Sequence, residues 1–274
     1  MTHSDLSDAP LGREVVYPDT YDPTLLFPID RDANRRSLGQ LPLWHGADIW
    51  NAYEVSWLNA RGLPQVAIAR FTVPADSPRL IESKSFKLYL NSFNEERYGG
   101  AHEVAELLRQ DLSRAAGAPV HVWIDTRLDA LHQACRPLPG TCIDTLEVEI
   151  DRYEPDPTLL QAAPGNEVVT ETLVSNLLKS NCPVTGQPDW GSVQISYSGP
   201  RINPATLLRY VVSFRRHTEF HEHCVERMYC DLWRTFSPES LFVMARYTRR
   251  GGLDINPWRS SHPREVEDWR TARQ

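Results

Sequence analysis

Apolar residues in this chain recur at two periods, and the switches between them outline a series of strands and helices. Val66, Ile68 and Arg70 alternate with Ala67, Ala69 and Phe71, and Phe86, Leu88 and Leu90 alternate with Lys87, Tyr89 and Asn91. A period of two sends successive side chains to opposite faces and predicts strands. Val104, Leu107, Leu108, Leu112 and Ala115 then fall at helical spacing, and Gly117 suits the residue just past a helix end. Val120, Val122 and Ile124 predict another strand, as do Leu146, Val148 and Ile150. Glu154-Pro155-Asp156-Pro157, with Ala163-Pro164-Gly165 after it, reads as a linker.

The second half repeats this layout. Val193, Ile195 and Tyr197 alternate, Tyr210 to Phe214 reads as a short strand, and Phe220, Cys224, Val225, Met228 and Leu232 form a helical stripe. Leu241, Val243, Ala245 and Tyr247 alternate again before Arg249-Arg250-Gly251-Gly252. Val169 to Ser180 fits either element, and a strand is preferred because a cysteine loop follows. Leu90-Asn91-Ser92-Phe93 and Val211-Val212-Ser213-Phe214 are a weak internal repeat. Two strand-strand-helix-strand modules predict an α+β fold, with antiparallel sheets carrying helices packed on one face. The expected division is an irregular N-terminal arm over 1–45, a first module over 46–153 and a second over 154–274.

Composition narrows the function. Of 274 residues, 41% are hydrophobic and 24% charged, as in ordinary globular chains, and the net charge of −7 argues against a nucleic-acid partner. No apolar run approaches a membrane span and the first residues lack a signal peptide's pattern, so no membrane partner is expected. The five cysteines are odd in number and no pair has CxxC spacing, which fits a reducing cytoplasm rather than a disulfide framework.

The chemistry concentrates in Asn181-Cys182-Pro183-Val184-Thr185-Gly186-Gln187-Pro188-Asp189-Trp190. Pro183, Gly186 and Pro188 exclude a regular helix and predict a folded-back loop that turns a thiol and a carboxylate toward one target. A thiolate is the strongest covalent nucleophile near neutral pH, and a neighbouring carboxyl group can move its proton. A free cysteine is most often a small buried core residue, and Cys224 and Cys230, on or near the apolar face of a helix, fit that description. Cys182 lies in a loop with no hydrophobic pattern, which favours a reactive thiol. Asp189 alone reads as a turn residue and takes its interest from Cys182.

Three further segments matter. His217-Thr218-Glu219-Phe220-His221-Glu222-His223 places His217 and His221 at metal-ligand spacing, but His223 points elsewhere on a helix and no second ligand cluster exists, so no metal is expected. A His-Glu pair at a helix start can also grip a planar heterocycle, because a carboxylate accepts two parallel N–H bonds. Ile81-Glu82-Ser83-Lys84-Ser85-Phe86-Lys87 and Arg250-Gly251-Gly252 carry cations, hydroxyls and glycines suited to phosphate. No Rossmann or P-loop fingerprint accompanies them.

Together these segments resemble the bimodular 7-cyano-7-deazaguanine reductases, the nitrile reductases of queuosine biosynthesis, in which a tRNA base is modified. The quoted residues are Glu82-Ser83-Lys84-Ser85-Phe86-Lys87-Leu88-Tyr89, Asn181-Cys182-Pro183 through Asp189-Trp190, Phe220-His221-Glu222 and Arg250-Gly251-Gly252. The resemblance implies two tandem tunnelling-fold (T-fold) modules, a homodimer, NADPH as cofactor and 7-cyano-7-deazaguanine as substrate. It implies that Cys182 adds to the nitrile to give a covalent thioimide, with Asp189 and His221 as the other catalytic residues. It assigns Ile81, Glu82, Ser83, His221 and Glu222 to the deazaguanine and Ser83, Lys84, Arg250 and Gly251 to NADPH, with Lys87 as an extra phosphate contact. The competing expectation is a zinc-dependent T-fold cyclohydrolase acting on a purine nucleotide.

Overall fold

A computed structural model of the chain describes residues 17–128, 135–165 and 167–274. These divide into two compact units, one of residues 17–37, 47–128 and 249–255, the other of 38–46, 135–248 and 256–274. The division between modules, expected at 153/154, falls between residues 128 and 135 among the described residues, and Arg249–Ile255 belongs with the first unit.

In the first unit, β1 (Pro28–Asp30) leads into the short helix α1 (Arg31–Arg35). The long strand β2 (His45–Leu58) pairs antiparallel with β3 (Pro64–Pro74). β4 (Arg79–Ile81) pairs antiparallel with β1. Helices α2 (Ser83–Asn91) and α3 (Ala101–Ala116) follow, and β5 (His121–Asp125) closes onto the far side of β3. Trp50, Val55, Trp57 and Phe71 from the strands pack against Phe86, Tyr89, Leu108 and Leu112 from the helices in one core.

In the second unit, the two-residue β6 (Thr141–Cys142) pairs parallel with β7 (Val168–Asn181), and β7 pairs antiparallel with β8 (Pro188–Pro200). Helices α4 (Pro204–Ser213) and α5 (His221–Phe236) precede β9 (Ser240–Tyr247), which pairs antiparallel with β8. β10 (Leu253–Ser260) begins in the first unit and ends in the second, where Trp258 to Ser260 pair with β9. Leu178, Val193 and Val243 pack against Leu207, Tyr210, Val225 and Met228. The architecture is α+β, with antiparallel sheets and helices on one face of each.

Several expectations change. Residues 83–91 and 204–213 are helices, not strands. Phe86, Tyr89, Leu90 and Phe93, like Leu207, Tyr210, Val211 and Phe214, stand at i, i+3, i+4, i+7, and this spacing prevails over the apparent alternation because each segment starts at a cap. Glu82 caps α2, and Asn203 followed by Pro204 caps α4. Leu146 to Ile150 is not a strand: Leu146 is exposed, while Val148 packs on the second core. The part of the expected arm beyond residue 16 is ordered into β1, α1 and short turns. Residues 38–46 also join the second unit, where the Tyr229 hydroxyl donates to the Leu43 carbonyl at 3.2 Å. Residues 1–16 of that arm lie outside the described residues.

The internal repeat is deeper than its sequence signal. Asp22-Pro23-Thr24-Leu25 and Asp156-Pro157-Thr158-Leu159 form identical capped turns, each Asp accepting from the Thr two residues on. Tyr89 and Tyr210 each donate a hydroxyl to a buried aspartate of the next helix, Asp111 and Asp231, both at 2.7 Å. Ser92 and Ser213 each donate back to that tyrosine's carbonyl, and Phe93 and Phe214 each stand edge-on to its ring. The long hairpins β2–β3 and β7–β8 also carry matching register shifts, at Ala52/Val55 and Ser175/Leu178.

Candidate active site

The second unit holds the Cys182 loop. The β7–β8 register sets Ser180 opposite Asp189 and Asn181 opposite Pro188. Beyond the ladder, the Cys182 N–H donates to the Gln187 carbonyl at 2.9 Å and the Gly186 N–H to the Cys182 carbonyl at 3.0 Å. Gly186 supplies the left-handed φ of +67° that closes the turn. The folded-back loop expected from Pro183, Gly186 and Pro188 is therefore present, and strand alternation carries Cys182 to the face that Ser180 and Asp189 share. Cys182 is half-buried, whereas Asp189 is only 2% exposed. Cys224 and Cys230 are buried, and burial pushes both thiols up to about 12, which makes them inert beside Cys182.

Helix α5 brings the second group of residues. His221 is its first residue, and its Nε2 lies 3.9 Å from Asp189 Oδ1. The ring of Tyr247 stands edge-on to the His221 ring with centroids 4.0 Å apart. Glu222, the next residue, is buried in the first helical turn, where the positive end of the helix dipole favours a carboxylate. His217 precedes α5, with its ring edge-on to Phe214 at 5.3 Å between centroids, and burial together with the Arg227 charge pushes its imidazole down to about 4. Among the described residues no three His, Cys, Asp or Glu side chains cluster in a way that could hold a metal ion.

The first unit holds the basic segment. Glu82 is 1% exposed and caps α2, its two carboxylate oxygens accepting from the Lys84 N–H at 2.9 Å and the Ser85 N–H at 2.7 Å. Burial pushes its carboxyl above the usual range, against the pull of those two hydrogen bonds. Ile81, buried, ends β4 just before it. Because 83–91 is a helix, Ser83, Lys84 and Lys87 lie on one side of its first turn and a half. The Arg250-Gly251-Gly252-Leu253 turn is closed by reciprocal backbone bonds, with φ of +54° at Gly251 and +74° at Gly252. A Cβ on Gly251 would lie 3.1 Å from Lys87 Nζ. Lys87, Glu54, Asn91, Gly251 and Gly252 thus line one shallow pocket. Lys87, the Asn91 amide and the bare Gly251-Gly252 backbone offer donors to an anion beside the Glu54 carboxylate, while Ser83, Lys84 and Arg250 are not in this lining. Sequence reasoning passed over Glu54, which has no motif around it, and Tyr247, whose aromatic character reads as core.

Comparison with known proteins fits this arrangement. Residues 17–124 match the family model described as the N-terminal part of nitrile reductase, 7-cyano-7-deazaguanine reductase, and residues 188–266 match that of a QueF-like protein. The NADPH-dependent 7-cyano-7-deazaguanine reductase of Bordetella pertussis is 59% identical over 274 residues, covering 98% of this chain and 99% of the relative. The chain belongs to the 7-cyano-7-deazaguanine reductase family. Family members of the same printed name from Chromobacterium violaceum and Azoarcus sp. are 55% and 58% identical, covering 97% and 92% of this chain and 96% and 90% of theirs. Among solved structures, the apo archaeosine synthase QueF-Like matches at 16% identity and a TM-score of 0.31, covering 37% of this chain and 99% of its own. In this reductase family the cyclohydrolase expectation finds no support.

Proposed function

We propose that the chain is an NADPH-dependent nitrile reductase that converts 7-cyano-7-deazaguanine to the 7-aminomethyl base through a thioimide on Cys182. The observation that carries the reading is the second unit's hairpin, in which Cys182 follows two residues after Ser180, the register partner of a buried Asp189 that is itself 3.9 Å from His221. The membership of the family supports substrate and cofactor alike.

Each residue then has a physical task. The Cys182 thiolate attacks the nitrile carbon, forming a C–S bond while the nitrogen takes a proton. Asp189, enclosed and within reach of the loop, is placed to move that proton, and His221 can exchange it with Asp189. A nitrile accepts hydride poorly and the thioimide accepts it better, which is the benefit of the covalent step. Bound NADPH supplies a hydride to that carbon, and a second equivalent completes the four-electron reduction. In balance, one nitrile, two NADPH and two protons give one primary amine and two NADP+. Glu222 and His221 hold the heterocycle, with Glu82 and Ile81 as further contacts. Ser83, Lys84, Lys87, Arg250 and Gly251 hold the cofactor. The working form is a homodimer in the cytoplasm, acting on a small molecule rather than on nucleic acid; no helix among the described residues is long and apolar enough to cross a membrane.

Intact-mass measurement tests the site and substrate together. Incubation with the nitrile and no NADPH should add one substrate mass to the native chain and none to Cys182→Ala. With NADPH, two equivalents should be oxidised per nitrile consumed. An adduct retained in Cys182→Ala would overturn the assignment of the nucleophile.

A further inference from the structure

We infer that Lys179 and Asn181 form a side-chain clamp that sets the position of Cys182 against the first turn of α5, which makes both of them positioning residues. The inference rests on the reading of Cys182 as nucleophile.

Asn181 is the last residue of β7 and the residue before Cys182. Its N–H donates to the His217 carbonyl at 2.8 Å, and its carbonyl accepts from the Glu219 N–H at 3.2 Å. These bonds form a one-residue parallel bridge to Thr218. Residues 217–219 run directly into Phe220, His221 and Glu222. One seam therefore joins the approach to the thiol with the approach to the heterocycle-binding helix start.

The first unit contains the same backbone seam. The Leu58 N–H donates to the Glu96 carbonyl at 2.8 Å and the Tyr98 N–H to the Leu58 carbonyl at 2.9 Å, with Leu58 bridged to Arg97. The backbone seam is thus a property of the module. The second unit adds side chains to it. Lys179 Nζ donates to Asn181 Oδ1 at 2.6 Å and to the Arg215 carbonyl at 2.8 Å. Asn181 Nδ2 also approaches the His217 carbonyl at 3.4 Å. At the equivalent position in the first unit, Leu58 has no polar side chain to offer.

Position matters for the chemistry. The β7–β8 ladder fixes the hairpin stem, and the core fixes the body of α5, with Cys224, Val225 and Met228 fully buried. Neither determines where the hairpin tip sits relative to His221 and Glu222. A clamp at Asn181 acts there directly, one bond from the nucleophile. Burial and the nearby Arg215 charge hold Lys179 below its usual range, opposed by Asp189, which places its ammonium in a partly enclosed setting near the site. An error of about 1 Å in a reacting atom can lower a rate by two orders of magnitude.

The test measures adduct formation by rapid quench and intact mass at saturating nitrile for native chain, Lys179→Met, Asn181→Ala, the double variant and Lys179→Arg. Non-covalent nitrile affinity is measured in the Cys182→Ala background, and folding by thermal melts. The clamp predicts a rate at least about ten-fold lower in each single variant, a double variant no slower than the worse single, and recovery to within about three-fold in Lys179→Arg. Non-covalent affinity should change less than about three-fold in these variants, because the heterocycle contacts are untouched. Native-like adduct rates in both single variants would overturn the clamp while leaving the nucleophile in place. So would equal losses of rate, non-covalent affinity and melting temperature, which mark a merely structural role. A native chain that forms no adduct would overturn the reading of Cys182, and the clamp with it.

Discussion

Glu82 caps α2 and, in the proposed function, contacts the heterocycle, and a substitution can separate the two. Its carboxylate caps α2 through two backbone N–H groups, at 2.9 and 2.7 Å, in a site only 1% exposed. Glu82→Gln keeps one acceptor oxygen and turns an NH2 toward the other N–H. The structure holds its own reference for that state: Asn203 caps α4 with a single bond, to the Ala205 N–H at 3.0 Å. One bond is therefore enough for a helix to form, and the loss is that of one buried bond to a charged acceptor. The expected cost is about 1–2 kcal/mol, or a fall of about 2–8 °C in melting temperature for a chain of this size. Glu82→Asp retains a preferred capping carboxylate and should cost less, but its shorter side chain withdraws from any ligand beyond the cap.

The assay pairs unfolding of the three proteins with nitrile titration. Gln should lose stability, and Asp should keep most of it while losing nitrile affinity. The sign of the pH effect follows from burial, which raises the folded carboxyl above its unfolded value of about 4.5. The stabilisation from Glu82 is thus complete below that value and declines as pH rises through the folded one. A Gln variant within about 0.5 kcal/mol of native at pH 8 would refute the capping argument.

Two further outcomes follow. Tyr210→Phe should destabilise by about 2–3 kcal/mol and Tyr89→Phe by about 1 kcal/mol in denaturant unfolding, because Asp231 takes a side-chain hydrogen bond from Tyr210 whereas Asp111 also accepts from Tyr21 and Arg114; the reverse order would contradict the assignment. The buried His217, pushed down to about 4, contributes stability that is present above its unfolded value near 6.5 and is lost as pH falls through 4. His217→Gln should flatten the stability profile across that window, by at most about 3 kcal/mol after solvent screening; an unchanged profile in chemical denaturation at several pH values counts against it.

Much of this was legible in the sequence. β3, β5, β8, β9, α3 and α5 follow their hydrophobic periods, and the thiol loop was marked by its own prolines and glycine. β2 and β10 escaped because polar residues interrupt their patterns. Asn51 and Tyr53 bond to Asp254, Asn256 accepts from Gln274, and Arg259 is paired with Glu226. Each partner is distant in sequence, so only the fold shows that these groups can be buried. The two misassigned helices have the opposite cause. Their caps, Glu82 and Asn203-Pro204, were in plain view, but short apolar runs satisfy both periods and the alternation was counted first.

The duplication gives the site a physical history that residue patterns alone do not. By hairpin register, Cys182 corresponds to Asn59, whose N–H donates to the Leu63 carbonyl and whose carbonyl accepts from the Gly62 N–H, as Cys182 does with Gln187 and Gly186. Asn59 spends its side chain on the turn, accepting from the Arg61 and Leu63 N–H groups. Both turns share a left-handed glycine, Gly62 at φ +81° and Gly186 at +67°; in the second unit the Thr185 hydroxyl accepts from the Gln187 N–H at 3.3 Å, and the position of Asn59 carries a thiol. Gln65 is the counterpart of the buried Asp189 and donates to the nearby carbonyls of Leu63 and Pro64. By helix alignment through Asp111 and Asp231, Ala101 and His102 correspond to His221 and Glu222. The cap is exchanged the other way, a full carboxylate at Glu82 and a neutral amide at Asn203. One scaffold thus holds the same backbone twice, and a few substitutions at its hairpin tip and helix starts separate a half that carries a thiol loop and a buried carboxylate from a half that carries the Lys87 and Gly251-Gly252 pocket. Grafting tests this: in the Cys182→Ala background, Asn59→Cys should create a thiol at the same backbone position that forms no nitrile adduct, because Gln65 and Ala101 supply neither of the groups that accompany Cys182.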